Sequence, residues 1–165
     1  MAYKITENRI GLPAIGEAYA DAQNLPLGTI VQASDPDRGS GEFIWLKGLD
    51  STVLGSWVTY NTDDYSTALS AANAIGPVAV ASAAIVTGEY GWYQIDGKPQ
   101  AKAADVADNG RVYLSGSAGV CDDALVAGDR VWNAKWASED DTDTNLADVE
   151  IARPFVTDKN ELGDT

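Results

Sequence analysis

The pattern closest to a chemical motif is a run of acidic and amide side chains near the C-terminal end of the chain. Asp141, Asp143 and Asn145 occupy every second position, as do the first three oxygen ligands of a calcium-binding loop. That loop requires glycine at its sixth position and a bidentate glutamate at its twelfth, where this chain has Leu146 and Ala152. The pattern therefore favours a solvated acidic loop, and a calcium site of another geometry stays open.

Two pairs of adjacent carboxylates are the other candidates for chemistry. Asp63-Asp64 and Asp122-Asp123 supply residue types that a glycosidase uses as acid and nucleophile. Neighbouring residues on a strand point to opposite faces, so the members of a pair cannot readily cooperate. Both pairs are typical of turns and caps. We predict no catalytic residue and no enzymatic activity.

Composition excludes several classes of function. The 165-residue chain contains 25 acidic and 11 basic residues, for a net charge of −14, and no histidine. The charge argues against nucleic-acid binding, and the lack of histidine removes Ser-His-Asp and Cys-His catalysis and imidazole metal sites. The single cysteine, Cys121, cannot form an intramolecular disulfide or a cysteine-based zinc site. No stretch of the sequence approaches 18 consecutive apolar residues, the length of a membrane-spanning helix. We predict no cofactor, no metal, no nucleic-acid partner and no membrane partner.

Aromatic residues are the main source of a core, because Leu, Ile, Val and Phe together make up only 35 residues. Five tryptophans and seven tyrosines supply large buried areas. We expect Phe43, Trp45, Trp57 and Trp92 to lie inside the fold or an interface. The run 90–95 alternates its aromatic side chains between two faces, and an exposed aromatic platform for sugar rings is the alternative to a core.

The elements that hold these side chains are predicted to be short strands. After Gly28, β-rich runs are separated by Gly, Asp, Asn and Pro, and this spacing indicates an all-β sandwich or barrel of about eight short strands with an extended N-terminal arm. Trp132 and Trp136, four apart, are expected on one face of a strand. Residues 64–75 leave helix or strand open, with strand preferred. The predicted strands are 29–33, 42–47, 56–61, 78–86, 90–95, 111–114, 130–136 and 149–156.

The chain is expected to form one β-rich domain flanked by two polar or irregular segments. We predict an N-terminal arm at 1–27, a β-rich domain at 28–157 and a polar C-terminal tail at 158–165. The arm carries scattered apolar residues between two prolines, too apolar to stay in water and too interrupted to fold alone. Its predicted partner-binding residues are Ile10, Leu12, Ile15 and Leu25.

Several runs between residues 27 and 158 resemble the small virion structural proteins of tailed bacteriophages that decorate or cement the capsid. The motifs are β-turn-like, and no catalytic signature accompanies them. The arm and the acidic tail are outside the resemblance. The runs that carry it are 27–36 (LGTIVQASDP), 41–48 (GEFIWLKG), 55–60 (GSWVTY), 76–81 (GPVAVA), 90–97 (YGWYQIDG), 127–131 (AGDRV) and 151–156 (IARPFV).

The resemblance implies a non-enzymatic head decoration or cement protein that binds and stabilises the shell of major capsid protein subunits. It implies self-association as a homotrimer, and a location on the capsid surface of the virion after synthesis in the host cytoplasm. A carbohydrate- or receptor-binding β module of a virion, associated with a tail or fibre, is the alternative, and a hydrolase is a third hypothesis.

Overall fold

The computed structural model describes residues 3–7 and 9–157, and this part of the chain is all-β with no helix. The predicted fold class is confirmed, although the described residues form thirteen strands instead of about eight. The predicted tail at 158–165 lies outside the described residues. The strands are β1 (Lys4–Ile5), β2 (Ala18–Tyr19), β3 (Ile30–Asp35), β4 (Gly39–Lys47), β5 (Trp57–Tyr60), β6 (Thr67–Leu69), β7 (Gly76–Ala81), β8 (Tyr90–Gly97), β9 (Gln100–Lys102), β10 (Arg111–Leu114), β11 (Cys121–Asp122), β12 (Arg130–Trp136) and β13 (Leu146–Val156).

All eight predicted strands are present, as β3, β4, β5, β7, β8, β10, β12 and β13. The five that sequence patterns missed are two or three residues long. An alternation of polar and apolar residues needs about four positions to be visible, so such strands leave no signal. The ambiguous segment 64–75 contains β6 and turns, in agreement with the preference for strand.

The strands form one antiparallel sheet that folds over itself. Its main path runs β1-β3-β4-β8-β7-β13-β12-β10-β11. Away from this path, β2 pairs with β8, β5 pairs with β6 and β7, and β9 pairs with β13. A bridge between Ala103 and Cys121 joins the end of β9 to β11. The long strands β4, β8 and β13 therefore organise the fold.

Strand β8 separates two apolar layers. Tyr93 and Ile95 point into one cluster with Leu46 and Val58, whereas Trp92 points into a second with Trp45, Phe43 and Tyr3. A third cluster, around Trp57 and Trp136, fills the space under β13. Burial on both faces gives the fold its sandwich-like character. The prediction that Phe43, Trp45, Trp57 and Trp92 lie inside is confirmed, since none of them has exposed surface.

Turn residues join some consecutive strands and not others. Asp35 Oδ1 accepts hydrogen bonds from the backbone N–H groups of Asp37 and Arg38, which closes the turn between β3 and β4. The pairs Asp96-Gly97 and Asn109-Gly110 predict hairpin turns from sequence, and this prediction is wrong. Strand β9 pairs with β13 instead of β8, and β10 pairs with β11 and β12. Strands β9 and β10 therefore pair with strands that come later in the sequence, instead of with the strand or segment directly before the turn.

The expectation that Trp132 and Trp136 share a strand face is also wrong. Trp136 is fully buried, whereas Trp132 is half-buried and points outward beside Phe155. Between them the pairing register of β12 and β13 shifts, and Asn133 and Arg153 adopt positive φ angles of 59° and 50°. A bulge adds a residue to a strand and so reverses which face the following side chains occupy.

Candidate interaction surface

Three of the four predicted partner-binding residues pack against their own domain. Leu12, Ile15 and Leu25 are half-buried against the cluster that contains Trp45 and Trp92. Ile10, in contrast, is fully exposed. The structure therefore brings three of the four together and leaves Ile10 as the solvent-facing apolar group of this segment. Their binding to a partner stays a prediction.

The segment before Gly28 is attached to the domain by short strand pairs. β1 pairs with β3, and β2 pairs with β8. Tyr3 is buried, and its ring packs edge-on to Phe43 at 4.9 Å between centroids. The first strand of the segment therefore covers part of the aromatic core.

The alternating acidic run forms a turn that binds its own backbone. Asp141 Oδ1 accepts hydrogen bonds from the N–H groups of Asp143, at 2.8 Å, and Thr144, at 3.2 Å. The 145 N–H donates to the Asp141 carbonyl oxygen at 2.7 Å. Between residues 3 and 157, apart from residue 8, no group of three His, Cys, Asp or Glu side chains is arranged to hold a metal ion.

The carboxylate pairs also serve turns. Asp64 accepts hydrogen bonds from the hydroxyl and N–H of Ser66, and these lower the pKa of its carboxyl. Asp122 accepts from the 124 N–H, while Asp123 accepts from the 107 N–H. Burial raises the pKa of Asp122, and the charge of Asp123 adds to the rise. Asp122 and Asp123 thus bind different backbone groups.

The single cysteine is a core residue. Cys121 has no exposed surface, and burial, aided by the charge of Asp122, raises the pKa of its thiol well above the ordinary value. A reactive cysteine needs the opposite environment, one that is accessible and favours the thiolate. Cys121 therefore acts as a small apolar side chain of the core.

Exposed apolar side chains gather at one end of the sheet, which we call the Phe155 end. Phe155 is 38% exposed and pairs with Pro77 at the start of β7, beside Ile75, which is 69% exposed. The turn that leads into β12 carries two more exposed apolar residues, and its Asp129 carboxylate accepts a hydrogen bond from the 73 N–H at 2.7 Å. The Phe155 end consists of Ile75, Leu125, Val126, Arg130, Trp132 and Phe155.

A groove opens on the outer face of β12 and β13 beside this end. It has a volume of about 520 Å³ and is lined by Trp132, Lys135 and Glu150 among others. The Arg130 guanidinium lies 4.3 Å from the centroid of the Trp132 ring, which is the geometry of a cation–π contact. Lys135 Nζ lies 3.2 Å from the Glu150 carboxylate. The groove thus combines an aromatic ring with charged groups of both signs.

A second group of exposed apolar residues lies at the opposite end of the sheet, which we call the Leu54 end. The turn that carries Val53 and Leu54 joins the turn that carries Val86 through a hydrogen bond from the 49 N–H to the 85 carbonyl oxygen. The Gly55 carbonyl oxygen accepts from the 102 N–H at 2.8 Å, next to the acidic turn. The Leu54 end consists of Val53, Leu54, Val86 and the acidic turn, residues 138–145.

Sequence patterns missed these two ends. Leu125 and Val126 lie in a connection between strands, where apolar residues have no periodic partner to mark them. The predicted strand 78–86 includes Val86 at its end, but the structure ends this strand at Ala81. One available signal was Pro154, because proline inside a predicted strand indicates an edge or a bulge. That signal predicts the reversal of faces that turns Trp132 and Phe155 outward.

No protein family matches the chain, and no curated protein resembles it significantly. Across the described residues, no helix has the length and apolar character needed to cross a membrane.

Proposed function

We propose that this chain is a non-enzymatic decoration protein of a tailed-bacteriophage capsid. In this proposal it is made in the host cytoplasm, binds the major capsid protein on the capsid surface and associates with copies of itself, as a homotrimer. The sequence motifs between residues 27 and 158 support the proposal. So does the use of the acidic pairs and of Cys121 in turns and core, where they have no need of a catalytic explanation.

The observation that carries the proposal is the position of the exposed apolar side chains. Eight large apolar residues are exposed in the described part of the chain, and seven of them lie at the Phe155 end or the Leu54 end. Grouped exposed apolar residues mark interaction sites, whereas single scattered ones are normal on a protein surface. A component of a capsid shell contacts neighbours on more than one side, and exposed apolar groups at two separate ends suit such contacts.

The eighth exposed apolar residue, Ile10, is the proposed contact with the capsid. It lies in the predicted docking segment and has no contact with its own core, unlike Leu12, Ile15 and Leu25. Burial of an isoleucine side chain contributes about 1.5–3 kcal/mol. Such a contact is apolar and should persist at high salt, which screens charged contacts.

Co-sedimentation of the purified protein with undecorated capsids tests the proposal. Ile10→Asp should lower the affinity for capsids roughly tenfold or more, from the lost burial of the side chain. Ala20→Asp, an equal charge change at another exposed site of the segment, should bind as the wild type does. Equal binding of Ile10→Asp and wild type would show that Ile10 is not part of the contact. Failure of the wild type to sediment with capsids would overturn the decoration proposal itself.

The groove beside Trp132 favours one second candidate, a carbohydrate- or receptor-binding module of a virion. Ligand pockets combine aromatic side chains with a few polar or charged groups, and the groove has both. Here the Arg130 guanidinium already covers one face of the indole, which leaves less of the ring for stacking. A titration of tryptophan fluorescence with sugars, repeated with Trp132→Ala, distinguishes this candidate: saturable quenching lost in the variant would favour it.

A further inference from the structure

We infer that Asn109 is a site of spontaneous chemical modification, where the turn before β10 sets the rate at which asparagine becomes isoaspartate. Asn109-Gly110 is the one Asn-Gly pair in the sequence. The reaction needs only water, and neither a capsid nor a second copy of the chain. A test of it can therefore fail while the proposed function holds, and the reverse.

The nucleophile of this reaction is the backbone nitrogen of Gly110. After it loses its proton to hydroxide, this nitrogen attacks Asn109 Cγ, and the new C–N bond closes a succinimide ring while Nδ2 leaves as ammonia. Water then adds to one of the two ring carbonyls and breaks its bond to nitrogen, which gives aspartate or isoaspartate. Overall, one amide and one water become a carboxylate and an ammonium ion. Glycine at position 110 permits the attack because it has no Cβ to hinder the approach.

The reacting groups are exposed in the folded turn, yet their neighbours restrain them. Asn109 is exposed and has a φ angle of 64°. The Gly110 N–H donates a hydrogen bond of 3.0 Å to the 107 carbonyl oxygen, so the nucleophile is engaged. The side-chain amide of Asn109 is held at both ends: Nδ2 donates to the Asp108 carboxylate at 2.9 Å, and Oδ1 accepts from Lys135 Nζ at 3.2 Å. Attack therefore requires a local opening of the turn.

Such an opening does not require the core to unfold. Residues 107–109 are exposed, and the Lys135 side chain is 47% exposed. Strand β10, which follows the turn, is by contrast buried at three of its four residues. Exposed turns open at a lower free energy than buried strands do. We therefore expect the folded protein to react at Asn109, but more slowly than the unfolded chain.

Isoaspartate at position 109 would disturb the pairing of this turn with β12. The 109 N–H donates to the Trp136 carbonyl oxygen at 3.0 Å, and the Trp136 N–H donates to the 110 carbonyl oxygen at 2.9 Å. Isoaspartate adds one atom to the main chain between these two bonds, so both cannot keep their geometry. Trp136 is fully buried and packs edge-on to Trp57. The modification therefore loosens the edge of the core around Trp57.

The pair Asn73-Ala74 is a matched control within the same chain. Asn73 is exposed and also has a φ angle of 64°, and the 74 N–H donates to the 71 carbonyl oxygen at 3.1 Å. The two turns thus share their geometry and differ in the residue that follows asparagine. The Cβ of Ala74 hinders attack by its nitrogen. Asn109 should therefore convert several times faster than Asn73 in one sample.

Peptide mapping by mass spectrometry of the full chain, stored for weeks at a mildly alkaline pH, tests the inference. The peptide that contains Asn109 should gain the mass difference between an amide and an acid, and isoaspartate methyltransferase should label it. The rate should rise with pH, since the nucleophile is the deprotonated nitrogen. It should be roughly tenfold or more lower in the folded protein than in concentrated urea, because only the open turn reacts. The modified protein, separated by ion exchange, should melt at a lower temperature than the unmodified protein.

A pair of variants tests the restraint on the side-chain amide. Lys135→Ala frees Asn109 Oδ1 and should speed the conversion several times. Glu150→Ala removes the carboxylate that Lys135 also contacts, at 3.2 Å, but leaves the bond to Asn109, and so should not speed it. Asn109→Gln should abolish the mass gain in this peptide. Equal rates for Lys135→Ala and Glu150→Ala would count against the inference.

Three outcomes with the wild-type chain would overturn the inference, so a variant that does not fold cannot leave it undecided. The first is no conversion of Asn109 in the folded protein while the sample in urea converts. The second is an equal rate at Asn109 and Asn73, and the third is an equal rate in the folded and unfolded chain. An isoaspartate form that melts like the unmodified protein would contradict the predicted loss of pairing with Trp136.

Discussion

The indole N–H of Trp92 donates a hydrogen bond of 2.9 Å to the carbonyl oxygen of Pro13, 79 residues earlier in the chain. This bond ties the segment before Gly28 to the central strand β8. Trp45 lies beside Trp92, with 5.0 Å between ring centroids, yet its indole nitrogen is buried with no hydrogen-bond partner in the described structure. Two neighbouring tryptophans thus differ in a single polar contact.

Trp92→Phe should lower the free energy of unfolding more than Trp45→Phe does. Both changes remove similar volume, but Trp92→Phe also leaves the Pro13 carbonyl without its donor, at a cost of about 1–3 kcal/mol. Trp45→Phe removes an indole N–H that makes no bond, which offsets part of its lost packing. Urea unfolding of the two variants gives the comparison. Equal losses, or a larger loss for Trp45→Phe, would contradict the prediction.

Trypsin sensitivity gives a second readout of the same bond. The segment contains Lys4 and Arg9, and loosening it should expose both to cleavage. We expect Trp92→Phe to be cut there several times faster than Trp45→Phe.

Trp57→Ala should cost about 3–5 kcal/mol. Trp57 is fully buried, packs edge-on to Trp136 at 6.0 Å and donates a hydrogen bond to the 102 carbonyl oxygen. Trp132→Ala, the control, should cost about 1 kcal/mol, because Trp132 is half-buried and loses mainly its contact with Arg130. Denaturant unfolding of dilute protein measures both. A similar cost for the two variants would contradict the outward placement of Trp132.

Gly48→Ala should destabilise the fold by about 3 kcal/mol through a steric clash. A Cβ atom at this position would lie 2.6 Å from the 85 carbonyl oxygen and closer still to the 86 carbonyl oxygen. Both are backbone atoms and cannot move alone. Gly116→Ala, where the added Cβ meets no atom within 4 Å, should leave the melting temperature unchanged or slightly raised. A melting temperature of Gly48→Ala equal to that of wild type would refute the close approach.

Asp122→Asn should raise the melting temperature at pH 7. Burial, followed by the charges of Asp123 and Asp129, raises the pKa of the Asp122 carboxyl above its ordinary 3.8. The folded state therefore binds the proton more readily than the unfolded state, and stability falls as pH rises from 3.8 through the raised value. The asparagine stays neutral and keeps an oxygen for the hydrogen bond from the 124 N–H.

The benefit of Asp122→Asn should vanish at about pH 3, because the wild-type carboxyl is then protonated in both states. Asp37→Asn removes the same charge at an exposed turn and controls for the change in net charge. A benefit that persists at pH 3, or that Asp37→Asn reproduces, would show that relief of burial is not the cause.

The strands that sequence patterns predicted well share one property, a run of at least four residues with alternating or apolar character. Strands β10 and β12 were predicted with the bounds that the structure gives, 111–114 and 130–136. The alternation within 90–95 also correctly predicted two buried faces, because β8 keeps its register there. Local periodicity suffices where a strand is regular.

Pairing partners could not be predicted in the same way. Asp-Gly and Asn-Gly at 96–97 and 109–110 are typical hairpin turns, yet β9 pairs with β13, more than 40 residues away in sequence. A turn sequence fixes the local backbone but not which edge the next strand meets. That choice depends on the burial of distant groups, such as Ala101 and Ala147 in the core around Trp57.

By itself, the sequence determined the class of the fold and the contents of its core. Short β-rich runs, turn residues and tryptophans such as Trp45 and Trp57 carry that information locally, because strand alternation and apolar burial act over a few residues. Only the tertiary structure decided which apolar groups reach solvent. The bulge that turns Trp132 outward and the packing that covers Leu12 but leaves Ile10 bare arise from pairing between distant strands, which optimises burial over the whole sheet.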